Sequence, residues 1–238
     1  MLKYILATTI LLFFWQIIAQ TSYTPIASPI ATFLQLYALL LNGNFWAVVF
    51  INICDIIIGI LFAFSLALFF NIVSVKIPLL HIILKMVVLF LSTLPWIVFS
   101  ILGLLWVNQA SVVTMLAALA AFSHLYPAIY AAIKNTDGRL LDMAWFFKIS
   151  LLHRLFYIYS INTPKYIIPS LELAIASAFK AGTTAKIMYL IYASIYYELY
   201  NYTLSLYMPY IFSWILAIFI ISFCFKKIIV FNLKRFLK

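Results

Sequence analysis

The sequence predicts an all-α protein: a polytopic transmembrane helical bundle of about six spans with a short outer interfacial helix. Three observations predict it. The composition is 68% hydrophobic and only 8% charged, with a mean hydropathy of +1.17, whereas soluble chains are nearer half apolar and a quarter charged. The apolar stretches are long and do not alternate with polar residues, which excludes a transmembrane barrel and leaves helices, whose backbone satisfies itself inside hydrocarbon. Outside these stretches, the basic residues fall only on every second connecting or terminal segment.

Spans of about 20 mostly apolar residues are read at 4–19, 46–70, 79–107, 112–133, 167–191 and 209–225. The first is the shortest. Ile17-Ile18-Ala19 lacks the small residues of a cleavage site, so the reading is a retained span rather than a signal peptide. Pro25 and Pro29 stop a helix continuing from it. Ile30, Phe33, Leu34, Tyr37, Leu40 and Leu41 then recur at helical spacing up to Asn42-Gly43-Asn44. This is a short amphipathic helix, either lying on the outer interface or packed on the bundle. Pro95 and Pro127 are expected to kink their spans. Tyrosines crowd residues 192–210, as at a headgroup boundary. The 238 residues form one transmembrane domain, 1–238.

With the N-terminus inside, Lys3, Lys76, the cluster from Lys134 to Lys165, and Lys226, Lys227, Lys234, Arg235 and Lys238 all lie inside. The outer segments 20–45, 108–111 and 192–208 hold no Lys or Arg, and Glu198 is their one acid. This is the positive-inside rule, and it places both termini in the cytoplasm, the expected location being the inner (cytoplasmic) membrane. The same rule accounts for the net charge of +10 without a nucleic-acid partner.

The inside segment 134–169 breaks the apolar pattern. Lys134, Asp137, Arg139, Asp142, Lys148, Arg154 and Lys165 are interleaved with Trp145, Phe146, Phe147, Phe156 and Tyr157. Asp142 stands near the start of a helix-compatible stretch, where an acid suits the helix dipole. Trp145, Phe146 and Ile149 follow at spacings that make one face. An apolar face outside the bilayer needs a protein partner, the alternative being a helix lying against the inner leaflet.

Ionisable groups at membrane depth are functional candidates. Here they are Asp55, Lys85, Glu172, Lys180 and Lys186. Asp55 and Glu172 are expected inside the bundle, paired with Lys85 or Lys180, either as a pathway or as an ion pair that orients helices. His81 and His124 have no carboxylate at ligand spacing, so no metal site is expected. Cys54 and Cys224 lie in apolar runs as small hydrophobes. Ser65, Ser92, Thr93, Ser100 and Ser177 are expected at helix–helix contacts. No nucleophile–base arrangement and no G-x-x-x-x-G-K-[ST] loop occurs, so the chain is read as no enzyme and no ATPase.

Several of these residues fall in the order of a known family. Trp15, Ser28-Pro29, Asn42-Gly43-Asn44-Phe45-Trp46, Asp55 with Gly59, Leu94-Pro95-Trp96 and Leu102-Gly103-Leu104-Leu105-Trp106 follow one another in that order over the first half of the chain. Asp142-Met143-Ala144 stands where Glu-Ala-Ala opens that family's cytoplasmic loop, and Thr163-Pro164 where Leu-Pro closes it. The chain thus resembles the membrane subunit, or permease, of binding-protein-dependent ABC importers of the nitrate/sulfonate/taurine type.

The resemblance implies a cytoplasmic coupling helix docked on a separate ATP-binding subunit, over a loop of about 134–166. Asp142, Met143, Ala144, Lys148 and Pro164 occupy its motif positions. It further implies a permease homodimer in the lipid bilayer, an extracytoplasmic substrate-binding protein, and no cofactor of its own, ATP and magnesium being held by the partner. Met143 replaces an Ala of the motif. Lys148 stands where the family has a Gly that turns the chain at positive φ. The expectation there is a turn built differently, or a straighter helix. A stand-alone secondary transporter is the other reading; it calls for internal inverted repeats.

Overall fold

The computed structural model describes residues 2–21, 26–150, 153, 160–189, 199–200, 202–203 and 206–236. It is 90% helical, and no strand occurs among the described residues. The helices are α1 (Leu2–Thr21), α2 (Pro29–Leu40), α3 (Gly43–Lys76), α4 (Pro78–Thr93), α5 (Trp96–Trp106), α6 (Gln109–Lys134), α7 (Gly138–Phe146), α8 (Ser160–Tyr189) and α9 (Met208–Phe236). Pro25, Arg154, Phe156, Tyr157, Glu198 and most of the tyrosine-dense segment lie outside the described residues.

By length and composition, α3, α6 and α9 can each cross a membrane. The pair α4 and α5 makes a fourth span if counted together. The apolar side chains of α3, α4, α5 and α9 are widely exposed, among them Phe50, Leu61 and Phe62 of α3 and Phe219 and Phe231 of α9. Such a surface needs hydrocarbon around it, and the chain is a membrane protein. The apolar part of α1, Leu6–Thr21, is shorter than those spans. The helix α8 has 30 residues, but Lys165, Glu172, Lys180 and Lys186 interrupt it.

The chain divides into two compact units, Met1–Asn52 with Leu190–Phe223, and Ile53–Tyr189 with Cys224–Lys238. In the first, the indole N–H of Trp15 donates to the Ala27 carbonyl at 3.0 Å, fixing the end of α1 beside the start of α2. Ser28 caps α2 by accepting from the Ala31 amide at 3.2 Å, and Pro29 pre-sets the first helical φ. The stripe Ile30, Phe33, Leu34, Tyr37 and Leu41 is exposed, while Thr32, Leu36 and Leu39 on the other face are buried. The helix is apolar on both sides, as suits a segment between protein and hydrocarbon. Phe45 packs on the buried Trp214 with ring centres 5.0 Å apart.

In the second unit, α6 is the central helix. Its Val112, Val113, Leu116, Ala117, Ala120, Ala121 and Leu125 are buried, as are Ala174, Ile175, Ala178, Ala181 and Ala185 of α8. Small residues let backbones approach closely where no hydrophobic effect drives association. Gly59 of α3 shows this most sharply: a Cβ there would lie 2.8 Å from both Thr114 O and the Ala117 Cβ. The helix α6 runs unbroken through Pro127.

At Pro95, by contrast, the expected kink is a full break, with 102° between Pro78–Thr93 and Trp96–Gly103. Proline lacks the N–H and drives its predecessor out of the helical region, and Leu94 is extended at φ −83°, ψ 142°. The hydroxyls of Ser92 and Thr93 bond the carbonyls of Leu89 and Phe90 just before the break. Ser65 likewise donates to its own helix, at Leu61 O, and is exposed rather than at a helix–helix contact, whereas Ser100, which also donates to Trp96 O, is fully buried, as a helix–helix contact requires.

Candidate functional site

The helix α7 follows α6 after a three-residue connection, Asn135 to Asp137. Its cap is Asp137, whose carboxylate accepts from the Arg139 amide at 3.0 Å. Asp142 is the fifth residue of the helix rather than its start, and it is exposed. The dipole argument therefore belongs to Asp137. The Asp137–Arg139 pair, 3.5 Å apart and largely exposed, is a surface contact of little energetic weight.

The interior side of α7 is Ala144, which is fully buried. Met143, Trp145, Phe146 and Phe147 are 56%, 69%, 81% and 66% exposed. The neighbours Met143 and Ala144 thus differ: Met143 is presented and Ala144 is buried. Four large apolar side chains within five residues form an unusual surface for a short helix.

The end of α7 answers the question raised by Lys148. Its φ is +48°, the left-handed conformation that glycine adopts freely. The Lys148 amide donates to Trp145 O at 3.1 Å, and the Ile149 amide to Ala144 O at 2.9 Å. These two bonds are the Schellman closure of a helix. A left-handed turn is therefore made at a lysine, and the straighter helix is not found. A side chain in this conformation costs roughly 1–2 kcal/mol, and the ammonium near the helical carbonyl end offsets a part. Lys148→Gly is expected to raise stability by about 1 kcal/mol, read as a higher melting temperature in detergent. A lower one would mean that Lys148 makes a stabilising contact instead.

Pro164 lies inside α8, four residues after its start. Thr163 is helical as well. The segment between α7 and α8 lies mostly outside the described residues, so Asp142 and Pro164 are placed on separate helices only.

The intramembrane charges find partners other than those expected. Lys186 Nζ of α8 lies 2.9 Å from Asp55 Oδ2 of α3. The Lys186 side chain is only 4% exposed and that of Asp55 27%. Lys234 Nζ of α9 lies 3.7 Å from Glu172 Oε1, with both side chains more than a third exposed. Lys85 and Lys180 are exposed and join neither pair. The error has a helical origin. Lys180 and Glu172 share a face of α8, but eight residues separate them by about 12 Å of rise, too far for an ion pair. Asp55 was expected to face inward, and the partner that reaches it is Lys186, about one and two-thirds turns beyond Lys180.

Polar groups also link α6 to α8, α3 and α4. His124 Nε2 meets the Ser177 hydroxyl at 2.8 Å, joining α6 to α8. Asn71 Nδ2 donates to Tyr126 O at 3.1 Å, and the Tyr126 hydroxyl lies 2.9 Å from His81 Nδ1 and 3.2 Å from Ser74 Oγ. His81 also stacks on Tyr130 at 3.5 Å. Sequence reading missed Asn71 and Tyr126; an Asn inside an apolar run was the available signal. Among the described residues no group of His, Cys, Asp and Glu is arranged to hold a metal ion.

No family model matches this chain, and no curated protein or solved structure matches it.

Proposed function

We propose that the chain is the membrane-spanning permease subunit of an ATP-driven importer, and that α7 is the element by which a separate ATP-binding subunit drives it. One observation carries this reading. A helix outside the apolar spans presents Met143, Trp145, Phe146 and Phe147 and closes in a left-handed turn at Lys148, where the importer motif has its turning glycine. An apolar surface of this kind outside hydrocarbon needs a protein to cover it.

In this proposal α1 and α8 also cross the bilayer, giving six spans, and both termini and α7 face the cytoplasm by the distribution of Lys and Arg. The polar groups of α8 are tolerable in a span because Lys186 and Glu172 have ionic partners and Ser177 a hydrogen bond. Two copies form the pathway, and a binding protein delivers solute from outside. ATP and magnesium belong to the partner, which biases a two-state bundle between outward and inward openings.

The test is co-purification from native membranes in mild detergent. An ATPase bearing a phosphate-cradling loop is expected to accompany the chain, and deletion of residues 142–150 is expected to release it. Retention of the ATPase by the deleted chain would sink the reading.

The 102° break between α4 and α5 favours a second reading, a stand-alone secondary transporter built on a broken or re-entrant helix. Solute uptake by the purified chain alone in vesicles, driven by an ion gradient without ATP, would establish it.

A further inference from the structure

A pocket of about 560 Å³ lies between the first half of α8 and the end of α9. Lys165, Lys226 and Lys234 line it, opposed by the single carboxylate of Glu172. That carboxylate is held by Lys234 at 3.7 Å, in a pair open enough to water to exchange readily. The remaining walls are apolar, chiefly Ile168 and Leu173, the latter 56% exposed. Lys226 follows directly on the apolar run 209–225, which sets this end of the pocket at the border between hydrocarbon and headgroups.

A cationic rim joined to an apolar wall at that depth matches a molecule with an anionic head and a hydrocarbon tail. We propose that the pocket holds the headgroup phosphate of an anionic phospholipid. Lys165, Lys226 and Lys234 face the phosphate, and Ile168 and Leu173 line the first methylenes of the acyl chain. Basic pockets between spans on the cytoplasmic side bind such headgroups. A free phosphate is the poorer fit, because it leaves the apolar wall in water. The inference rests on the inward orientation proposed above and not on the ATPase partner.

The experiment uses the full chain, purified without any ATPase, and measures by native mass spectrometry the retention of phosphatidylglycerol against phosphatidylcholine. Preferential retention of phosphatidylglycerol is expected. Each of Lys165→Gln, Lys226→Gln and Lys234→Gln should weaken it roughly fivefold. Glu172→Gln should strengthen it several-fold, a gain that misfolding cannot produce. Lys227→Gln, outside the pocket lining, should change nothing. Equal retention of the two lipids, an equal loss with Lys227→Gln, or no gain with Glu172→Gln would overturn the proposal. Displacement by millimolar inorganic phosphate would assign the site to a soluble anion and overturn it as well. Labelling of the α9 tail from outside intact cells would separately overturn the orientation, so the two failures are distinct.

Discussion

Asp55→Ala is expected to destabilise the protein by about 3–5 kcal/mol, the largest effect of any single polar substitution. The reason is what it leaves behind. Lys186 is only 4% exposed on its side chain, and its ammonium is 2.9 Å from the Asp55 carboxylate. Without that carboxylate the ammonium is left uncompensated in a nearly dry site, which costs free energy. Lys186→Ala should cost less, because Asp55 keeps 27% exposure and partial hydration. The pair also separates two roles. Replacing both partners by apolar residues, Asp55→Leu with Lys186→Met, should restore most of the stability, as buried pairs are commonly neutral against well-packed hydrophobes. If transport returns with stability, the pair only orients α3 and α8. If stability returns and transport does not, the charges take part in the pathway. Melting in detergent and uptake in vesicles read the two outcomes.

Gly59→Ala is expected to cost about 1–3 kcal/mol through overpacking. The added methyl would meet the Thr114 carbonyl oxygen and the Ala117 Cβ, each at 2.8 Å. A carbonyl oxygen and an Ala Cβ are held by the backbone of α6, so no side-chain rotation relieves the clash and α3 must move away from α6. The control is Gly182→Ala. Its Cβ would meet Ile56 at 3.4 Å and Val113 at 3.5 Å, ordinary contact with side chains. There the better helix propensity of alanine, about 1 kcal/mol over glycine, should appear as a neutral or higher melting temperature. Equal losses at both positions would show that α3 and α6 are not in such close contact.

Much of the architecture was legible because hydrophobic periodicity and proline act locally. The helices α2, α3, α6 and α9 lie where apolar runs and the Ser28-Pro29 start place them. Pro95 was read as a kink, but sequence carries no angle, and the 102° break comes from proline together with the hydroxyls of Ser92 and Thr93. Pro127 was read the same way, and there the helix continues through the proline without a break. Ion-pair partners were the least legible part. Charges at membrane depth were identified as a set, but which lysine meets Asp55 depends on the rotation and depth of α8 against α3, which no local pattern contains. At Lys148 the residue type argued against a left-handed turn and the position argued for one. The position prevailed because two backbone hydrogen bonds and the burial of Ala144 outweigh roughly 1–2 kcal/mol of strain.

The central claim is that α7 is covered by an ATP-binding subunit. Its most direct test is a photo-crosslinking amino acid at Phe146, the most exposed aromatic of that helix at 81%, activated in living cells. The account predicts one principal adduct, to a protein whose sequence carries a phosphate-cradling G-x-x-x-x-G-K-[ST] loop, lost when Met143, Trp145 and Phe147 are changed to serine. Adducts confined to lipid, or to other copies of this chain, would contradict it.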